Sequence, residues 1–360
     1  MSKHQKIELT VNNAKVEALA PVIVSASRST DIPAFYASWF IKRLKAGYAV
    51  WVNPFNRKPS YVSFQNTRVV VFWTKNPAPM MPYLPELDRR GIGYYFQYTL
   101  NDYDIENFEP HVPQKDRRIE TFRKLSETIG ADRVIWRFDP IILTDRISCE
   151  TMLERISALG DKLQGLTSKL VFSFVDIASY RKVKSNMSQL PLLACADVAN
   201  CEPTTEQQLQ IARGIAALRD GWKSRGWDLK VATCAEVAQL DELGIEHNRC
   251  IDPELMEKAF SHDRILMNYL DGFRYEDSGG QADMFAPDEE RKTGFNWSKL
   301  KDRGQRRECG CAESKDIGMY NTCPHKCVYC YANPNLTMVD TNRGKYAEDA
   351  ESIIPFRKQT

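Results

Sequence analysis

Three cysteines near the C-terminus carry the clearest chemical signal in this chain of 360 residues. Cys323, Cys327 and Cys330 follow a C-x3-C-x2-C spacing, and an aromatic residue, Tyr329, stands directly before the third cysteine. A tight loop with this spacing can place three thiolates on three corners of a [4Fe–4S] cube, which leaves the fourth iron without a protein ligand. A catalytic metal site keeps such an open position, whereas a structural site is normally closed. The triad therefore predicts a catalytic iron–sulfur cluster.

Zinc is the alternative metal for the same loop. The three cysteines could hold Zn²⁺ together with His325 or with a distant cysteine. Zinc motifs, however, usually pair their cysteines as C-x2-C or C-x4-C, and a C-x3-C step is unusual among them. The spacing thus favours the cluster, with His325 as a hydrogen-bond donor to cluster sulfide rather than as a ligand.

With Tyr329 before its last cysteine, the triad resembles the signature of the radical S-adenosylmethionine enzymes. The resemblance implies a [4Fe–4S] cluster whose open iron binds S-adenosylmethionine and passes one electron into its sulfonium. The 5′-deoxyadenosyl radical so formed would remove a hydrogen atom from the substrate, and Tyr329 would lie near the adenine. An electron donor such as flavodoxin or ferredoxin is implied as a partner. The substrate, a small molecule or a nucleotide-like compound, is left open.

The late position of the triad departs from that family, where it usually follows the first barrel strand. Here the loop 27–31 occupies that place and contains no cysteine, so we expect the C-terminal tail to fold back over it. The Gly-Gly-Glu segment that normally follows the second strand is also missing, and Asn53 stands there instead. Ser27, Arg28 and Asn53 are accordingly the candidates for binding the cofactor, together with Tyr329.

A second group of cysteines completes the metal-binding candidates. Cys309 and Cys311 are separated by one glycine, and Cys234 and Cys250 follow or precede predicted strands. Four thiolates suffice for a second, fully ligated auxiliary [4Fe–4S] cluster. A zinc ion held by the same four is one alternative, and the other is that Cys234 and Cys250 are buried small residues without a ligand role. We interpret the remaining cysteines as structural: Cys149, Cys195 and Cys201.

Charged residues at the ends of predicted strands are the candidates for catalysis. Lys75, Arg137 and Asp139 stand where apolar strands end, and buried cations need anionic partners or ligands. In barrels of parallel strands the active site lies at that edge. The segments 72–77 and 136–140 also resemble, weakly and locally, parts of spore photoproduct lyase and its relatives.

Short apolar runs alternate with amphipathic helical patterns over most of the chain. The runs predict strands at 22–27, 49–53, 69–74, 94–99, 133–138, 169–175 and 229–233, with a short eighth at Ile251, and the clearest helices at 117–128, 149–163 and 205–225. This alternation predicts an α/β fold, a (β/α)8-type or partial TIM barrel, with an open doubly wound sheet as the competing fold. We expect a lead-in over 1–20, the barrel-like domain over 21–270, an exposed loop over 271–294 and a cysteine-rich iron–sulfur module over 295–360.

Composition excludes several classes of function. There are 49 Lys and Arg residues against 47 Asp and Glu, and this net charge of +2 does not indicate nucleic-acid binding. No apolar stretch reaches the ~20 residues of a membrane span, and the polar start predicts a cytoplasmic protein. Ten cysteines in that compartment indicate metal or redox chemistry, while only five His argue against a metal hydrolase. A zinc-stapled α/β binding protein without redox catalysis is the alternative function.

Nearly the whole chain, from the loop 27–31 to the C-terminal cysteines, resembles an uncharacterised bacterial family. Its members combine a barrel-like body with a cysteine-rich C-terminus. This resemblance implies a fold and a cofactor but no substrate.

Overall fold

Two β-sheets and the helices around them form the protein. The structure is a computed structural model, and it describes residues 4–178, 180–188, 198–234, 240–274, 295–306 and 309–356. Cys195 and most of the expected loop 271–294 lie outside these residues. The strands are β1 (Gln5–Val11), β2 (Ala14–Ala20), β3 (Ile23–Ala26), β4 (Tyr48–Val52), β5 (Pro59–Ser63), β6 (Val69–Thr74), β7 (Gly93–Thr99), β8 (Val134–Ile141), β9 (Lys169–Phe174), β10 (Lys230–Thr233), β11 (Glu246–His247) and β12 (Lys315–Asp316). The helices are α1 (Ile32–Phe35), α2 (Ala37–Ala46), α3 (Leu84–Arg89), α4 (Lys115–Ile129), α5 (Cys149–Leu163), α6 (Arg181–Met187), α7 (Thr205–Ser224), α8 (Pro253–Ala259), α9 (Arg264–Asp271), α10 (Trp297–Leu300) and α11 (Leu336–Arg343).

The larger sheet has eight parallel strands in the order β11-β10-β9-β8-β7-β6-β3-β12. From β3 to β11 each new strand is added on the same side, which is the winding of a barrel and not of a doubly wound sheet. The edge strands β11 and β12 do not pair within the described residues, so the sheet is open. The expected α/β fold is therefore confirmed as one with a large parallel sheet of eight strands, and of the (β/α)8-type and partial barrels that the sequence allows, the described residues do not form the closed one.

Both faces of this sheet are buried, which explains why its strands are almost continuously apolar. Trp136 and its alternating neighbours face a core shared with the helices that cross between strands, α4, α5 and α7. Ile135 faces the opposite side, where α8 and α9 contribute Met256 and Leu266 to a second core. The predicted helices are confirmed: α5 has the expected bounds, and α4 and α7 differ from them by one or two residues.

The smaller sheet has the order β1-β2-β5-β4 and corrects one sequence prediction. The lead-in expected over 1–20 contains the hairpin β1–β2, in which β1 is an edge strand and the turn residues Asn12 and Asn13 adopt positive φ angles. The run at 49–53, expected to be a second barrel strand, is β4 and pairs antiparallel with β5. The apolar pattern of a strand does not say which strand will pair with it, so this error was not avoidable from the run alone.

The C-terminal segment is built into the fold along its length. β12 adds to the large sheet beside β3, with Lys315 opposite Val24 and Asp316 opposite Ser25. Further along, the Val328 N–H donates to the Phe108 carbonyl at 3.0 Å. Ile251, expected in a short eighth strand, packs instead in the second core, and the strand beside β10 is β11. No described helix is long and apolar enough to cross a membrane.

Candidate metal centres and the polar network between them

The three cysteines of the C-terminal triad lie on one tight loop beside residues that follow β6 and β7. The Cys330 N–H donates to the Cys327 carbonyl at 3.1 Å, and the left-handed φ of 53° at Lys326 turns the chain between the first two cysteines. Burial raises the pKa of all three thiols, and Cys323 and Cys330 raise that of Cys327 further. The thiols are thus close enough to oppose one another's ionisation, which a bound cation would relieve.

His325, inside the triad loop, fastens the loop to the body of the protein. Its Nδ1 lies 3.1 Å from the His111 carbonyl and its Nε2 lies 3.0 Å from Asp31 Oδ2. Asp31 also caps α1 by accepting from the Ala34 N–H at 2.9 Å, and it accepts from the Lys75 N–H at 2.7 Å. Both ring nitrogens of His325 therefore have partners other than sulfur, contrary to its expected role as a donor to cluster sulfide.

Glu109 is the centre of a buried ionic network next to the triad. Its carboxylate is 2.8 Å from Lys75 Nζ, 3.4 Å from Arg118 Nη1 and 2.8 Å from Asn101 Nδ2, and it accepts a hydrogen bond from the Tyr329 hydroxyl. Burial alone would raise the pKa of Glu109, but Lys75 and Arg118 outweigh it and lower the pKa to about 2. The network brings Lys75 and Tyr329 together.

The sequence analysis did not identify Glu109 as a candidate site residue. It lies in the connection between β7 and α4, which is unusually long for two elements of an α/β unit. Long connections of this kind are often functional, and this was the one signal available.

Arg137 and Asp139 form an ion pair that lies between the network around Glu109 and the second cysteine group, which comprises Cys234, Cys250, Cys309 and Cys311. Arg137 Nε donates to Asp139 Oδ2 at 3.0 Å, and its Nη1 lies 3.1 Å from Cys250 Sγ. The Asp139 N–H donates to Asn101 Oδ1 at 2.8 Å, which joins this pair to the network around Glu109. Burial would raise the pKa of Asp139, but Arg137 outweighs it and lowers that pKa. One continuous polar network therefore runs between the two cysteine groups.

The second cysteine group assembles from three separate parts of the chain. Cys234 follows β10, Cys250 precedes α8, and Cys309 and Cys311 belong to the C-terminal segment. The sulfur atoms of Cys234 and Cys250 are 3.6 Å apart, and the Cys250 N–H lies 3.2 Å from Cys311 Sγ. Contact with Cys250, together with burial, raises the pKa of Cys234, whereas a hydrogen bond from Cys311 lowers the pKa of Cys309. The four thiols form one continuous group.

Arg28 lies between this group and the C-terminal segment. Its N–H donates to Asp316 Oδ2 at 2.8 Å, and its Nη1 is 3.6 Å from Asp302 Oδ2. Burial would lower the pKa of Arg28, but the thiols of Cys311 and Cys250 raise it. Its buried Nη2 has no hydrogen-bond partner among the described residues. This guanidinium therefore faces the second group.

The other two candidates for cofactor binding have different surroundings. The Ser27 hydroxyl is 3.0 Å from that of Ser29, and both lie against Gly318 of the C-terminal segment. Asn53 follows β4 of the smaller sheet, and its side chain accepts from the Phe55 N–H at 2.9 Å. Asn53 thus stabilises a turn, and its described contacts do not include either cysteine group.

Each group supplies at least three thiol donors, which suit metals that prefer sulfur. Among the residues that the structure describes, no group of three or more His, Cys, Asp or Glu side chains is arranged to hold a metal ion as it stands. The fit therefore rests on ligand chemistry and on the mutual approach of the thiols.

A separate cavity of about 560 Å³ opens at the amino-terminal ends of β7 and β8. Gly93, Arg133 and Phe260 are among the residues that line it. It lies at the amino-terminal edge of the sheet, where active sites are not expected in parallel β/α folds.

Comparison with known proteins identifies the family. No curated protein and no solved structure matches the chain. The profile of a family described as "Domain of unknown function (DUF1848)" matches residues 23–332, a range that runs from β3 through all three cysteines of the triad. The protein belongs to the DUF1848 family.

Proposed function

We propose that the protein is a radical S-adenosylmethionine enzyme whose catalytic [4Fe–4S] cluster is held by Cys323, Cys327 and Cys330. One observation carries the proposal: three cysteines, with Cys327 buried and the other two half-buried, share a single loop in which Cys323 and Cys330 act electrostatically on Cys327, beside residues that follow β6 and β7 in an open parallel sheet. Three thiolates leave one iron of a cube free for a substrate or cofactor. Active sites of parallel β/α proteins lie at this edge.

When bound, such a cluster supplies the electron that cleaves S-adenosylmethionine and starts hydrogen-atom abstraction from the substrate. The protein itself would supply charged side chains that offset the charge of the thiolates and side chains that position the cofactor. Lys75 lies beside Cys327 and 5.5 Å from the centre of the Tyr329 ring, so its charge would offset that of the thiolates. Glu109 holds both Lys75 and Tyr329 in position. Arg137 and Asp139 would position the cofactor or a small substrate, and an electron-donor protein would reduce the cluster.

The test is spectroscopic. The protein is purified without oxygen, reconstituted with iron and sulfide, and reduced with dithionite. We expect about four irons per chain at the triad, a broad absorbance in the near-visible region, and an EPR signal of the reduced cluster that changes when S-adenosylmethionine is added. Reduced protein should also release 5′-deoxyadenosine. An EPR signal that does not respond to S-adenosylmethionine, with iron present, would overturn the proposal.

Matched variants assign the cluster to its ligands. Cys327→Ala should lose the response to S-adenosylmethionine and the release of 5′-deoxyadenosine. Cys149→Ala removes a buried cysteine at the start of α5 and should retain both. If Cys149→Ala and Cys327→Ala behave alike, the triad is not the site. Zinc in place of iron at an intact triad would favour the non-redox alternative.

A further inference from the structure

The second cysteine group has a geometry that distinguishes between its possible metals. In a [4Fe–4S] cluster each cysteine binds a different iron, so the four sulfur atoms stand well apart on separate corners of the cube. Around a single Zn²⁺ all four share one ion at Zn–S distances of about 2.3 Å, which sets the edge of the sulfur tetrahedron at about 3.8 Å. The sulfur atoms of Cys234 and Cys250 are 3.6 Å apart. This spacing fits one ion, although the sequence predicts a cluster.

The surroundings of the group are those of a metal thiolate. Cys250 Sγ lies 3.1 Å from Arg137 Nη1 and 3.3 Å from Asn248 Nδ2, and the Cys250 N–H lies 3.2 Å from Cys311 Sγ. Donors of this kind are the usual outer partners of metal ligands, because they stabilise the charge on sulfur. Three N–H donors on two sulfur atoms would stabilise these sulfurs in the thiolate form that a metal requires.

Cationic side chains lie next to the group. Four thiolates around Zn²⁺ leave a net charge of −2. Two guanidinium groups face the four cysteines, although each is also paired with an aspartate: Arg137 contacts Cys250, and Arg28 lies close to Cys311 and Cys250. The Nη2 atom of Arg28 is buried without a hydrogen-bond partner within the described part of the chain, so an anionic centre at this place would supply what it lacks.

We propose that Cys234, Cys250, Cys309 and Cys311 bind one structural Zn²⁺ ion that fastens the C-terminal segment to the large sheet. The ligands come from the end of β10, from the residue before Ile251 and from the chain just before β12. The Ala312 N–H donates to the Ile251 carbonyl at 3.1 Å, so the backbone next to the ligands is already joined. The ion would hold the segment that carries the triad. The proposal does not depend on the triad binding a cluster.

The experiment is zinc-edge X-ray absorption on the full chain purified without oxygen and without reconstitution. We expect about one zinc per chain with four sulfur neighbours at about 2.3 Å. The same result is expected for a chain in which the triad is removed by C323A, C327A and C330A, so failure of the cluster proposal would leave this one intact. Iron with acid-labile sulfide in the triad-free chain would show an auxiliary cluster and overturn the zinc proposal.

Substitution of single ligands completes the test. Cys309→Ser should lose zinc or replace one of the four sulfur neighbours by oxygen, and C149S should retain the full zinc content. If C309S fails to fold, the absorption spectrum of the unsubstituted chain still decides, since it reports the first neighbours of zinc directly. Absence of zinc with four thiols open to alkylation, or a disulfide between Cys234 and Cys250, would each refute the proposal.

Discussion

Replacing Glu109 by Gln removes a buried negative charge and keeps the size and shape of the side chain. The Glu109 side chain is 3% exposed, and its carboxylate contacts Lys75 Nζ at 2.8 Å and Arg118 Nη1 at 3.4 Å. In the Gln variant these two cations, both largely buried, would lose their shared counter-charge. We therefore expect E109Q to destabilise the fold and to loosen Tyr329, whose hydroxyl donates to the same carboxylate.

The magnitude follows from the pKa of Glu109, which is lowered from its ordinary value of 4.5 to about 2. At 1.36 kcal/mol for each pKa unit, this shift corresponds to ~3 kcal/mol of stability from the ionised carboxylate. Breaking a buried ion pair by removing one partner costs a similar amount, about 3–5 kcal/mol. Because the pKa is lower in the folded protein than in the unfolded chain, the contribution is complete above about pH 4.5. It is lost as the pH falls toward 2.

Chemical denaturation followed by circular dichroism measures the effect. At pH 7 the free energy of unfolding of E109Q should be lower than that of the unsubstituted protein by ~3 kcal/mol, and the difference should shrink as the pH falls below about 4.5. The control is E120Q on the exposed face of α4, where Glu120 is paired with Lys124 at 3.3 Å. An exposed pair contributes at most about 1 kcal/mol. If E109Q and E120Q change stability equally, the network around Glu109 is not a buried charge centre.

Three further predictions concern parts of the fold that hold the site in place. Gly318→Ala should destabilise the protein by about 1–3 kcal/mol, because the added Cβ would lie 1.8 Å from the Ser27 hydroxyl where the C-terminal segment docks. The control is Gly221→Ala on α7, which has open space around it and should stabilise the protein by about 0.5–1 kcal/mol. Equal effects of the two substitutions in denaturation would contradict the docking. Burial lowers the pKa of Lys315 from 10.5 to about 8 in the folded protein. Between these two pH values the unfolded chain binds the proton more tightly, so the free energy of unfolding should rise with pH over that range. The K315M variant should not show this rise. Thr204→Ala should cost about 1 kcal/mol, because it removes the capping box at the start of α7; an unchanged denaturation midpoint would show that the cap contributes nothing.

The positions of strands and helices were predictable from the sequence. The strands and side chains that each element would contact were not. Apolar runs gave the positions of β6 through β10, and Gly226 correctly ended α7, because strand burial and helix caps depend on neighbouring residues. The partner of β4 and the open edge of the sheet depend on long-range pairing, which a periodic pattern does not encode. Glu109 belongs to the same class, since its importance comes from the meeting of Lys75 and Arg118, residues of two different units.

The two cysteine groups differ in the same way: the spacing of one is visible in the sequence, whereas the other forms only when distant segments meet. The C-x3-C-x2-C spacing identifies the triad because its three members share one loop, and no tertiary information is needed. Cys234 and Cys250 could be joined to Cys309 and Cys311 only by the argument that ends of parallel strands meet at one edge. The structure brings these four thiols together, but the distance of 3.6 Å between two of their sulfur atoms is a quantity that no spacing rule supplies.

The late position of the triad in the chain has a structural explanation in β12. In a parallel sheet the loops after all strands reach the same edge, so a reactive loop can be contributed by any segment that enters the sheet in parallel. β12 enters beside β3, and the loop that follows β3 then holds the tail: the Arg28 N–H donates to Asp316 at 2.8 Å, and Asp31 Oδ2 is 3.0 Å from His325 Nε2. The loop 27–31 needs no cysteine of its own, because its polar groups secure a loop that carries three. The proposed chemistry requires the cysteine loop to lie at the carboxyl edge of the sheet. A segment near the end of the chain can reach that edge as well as one near its start.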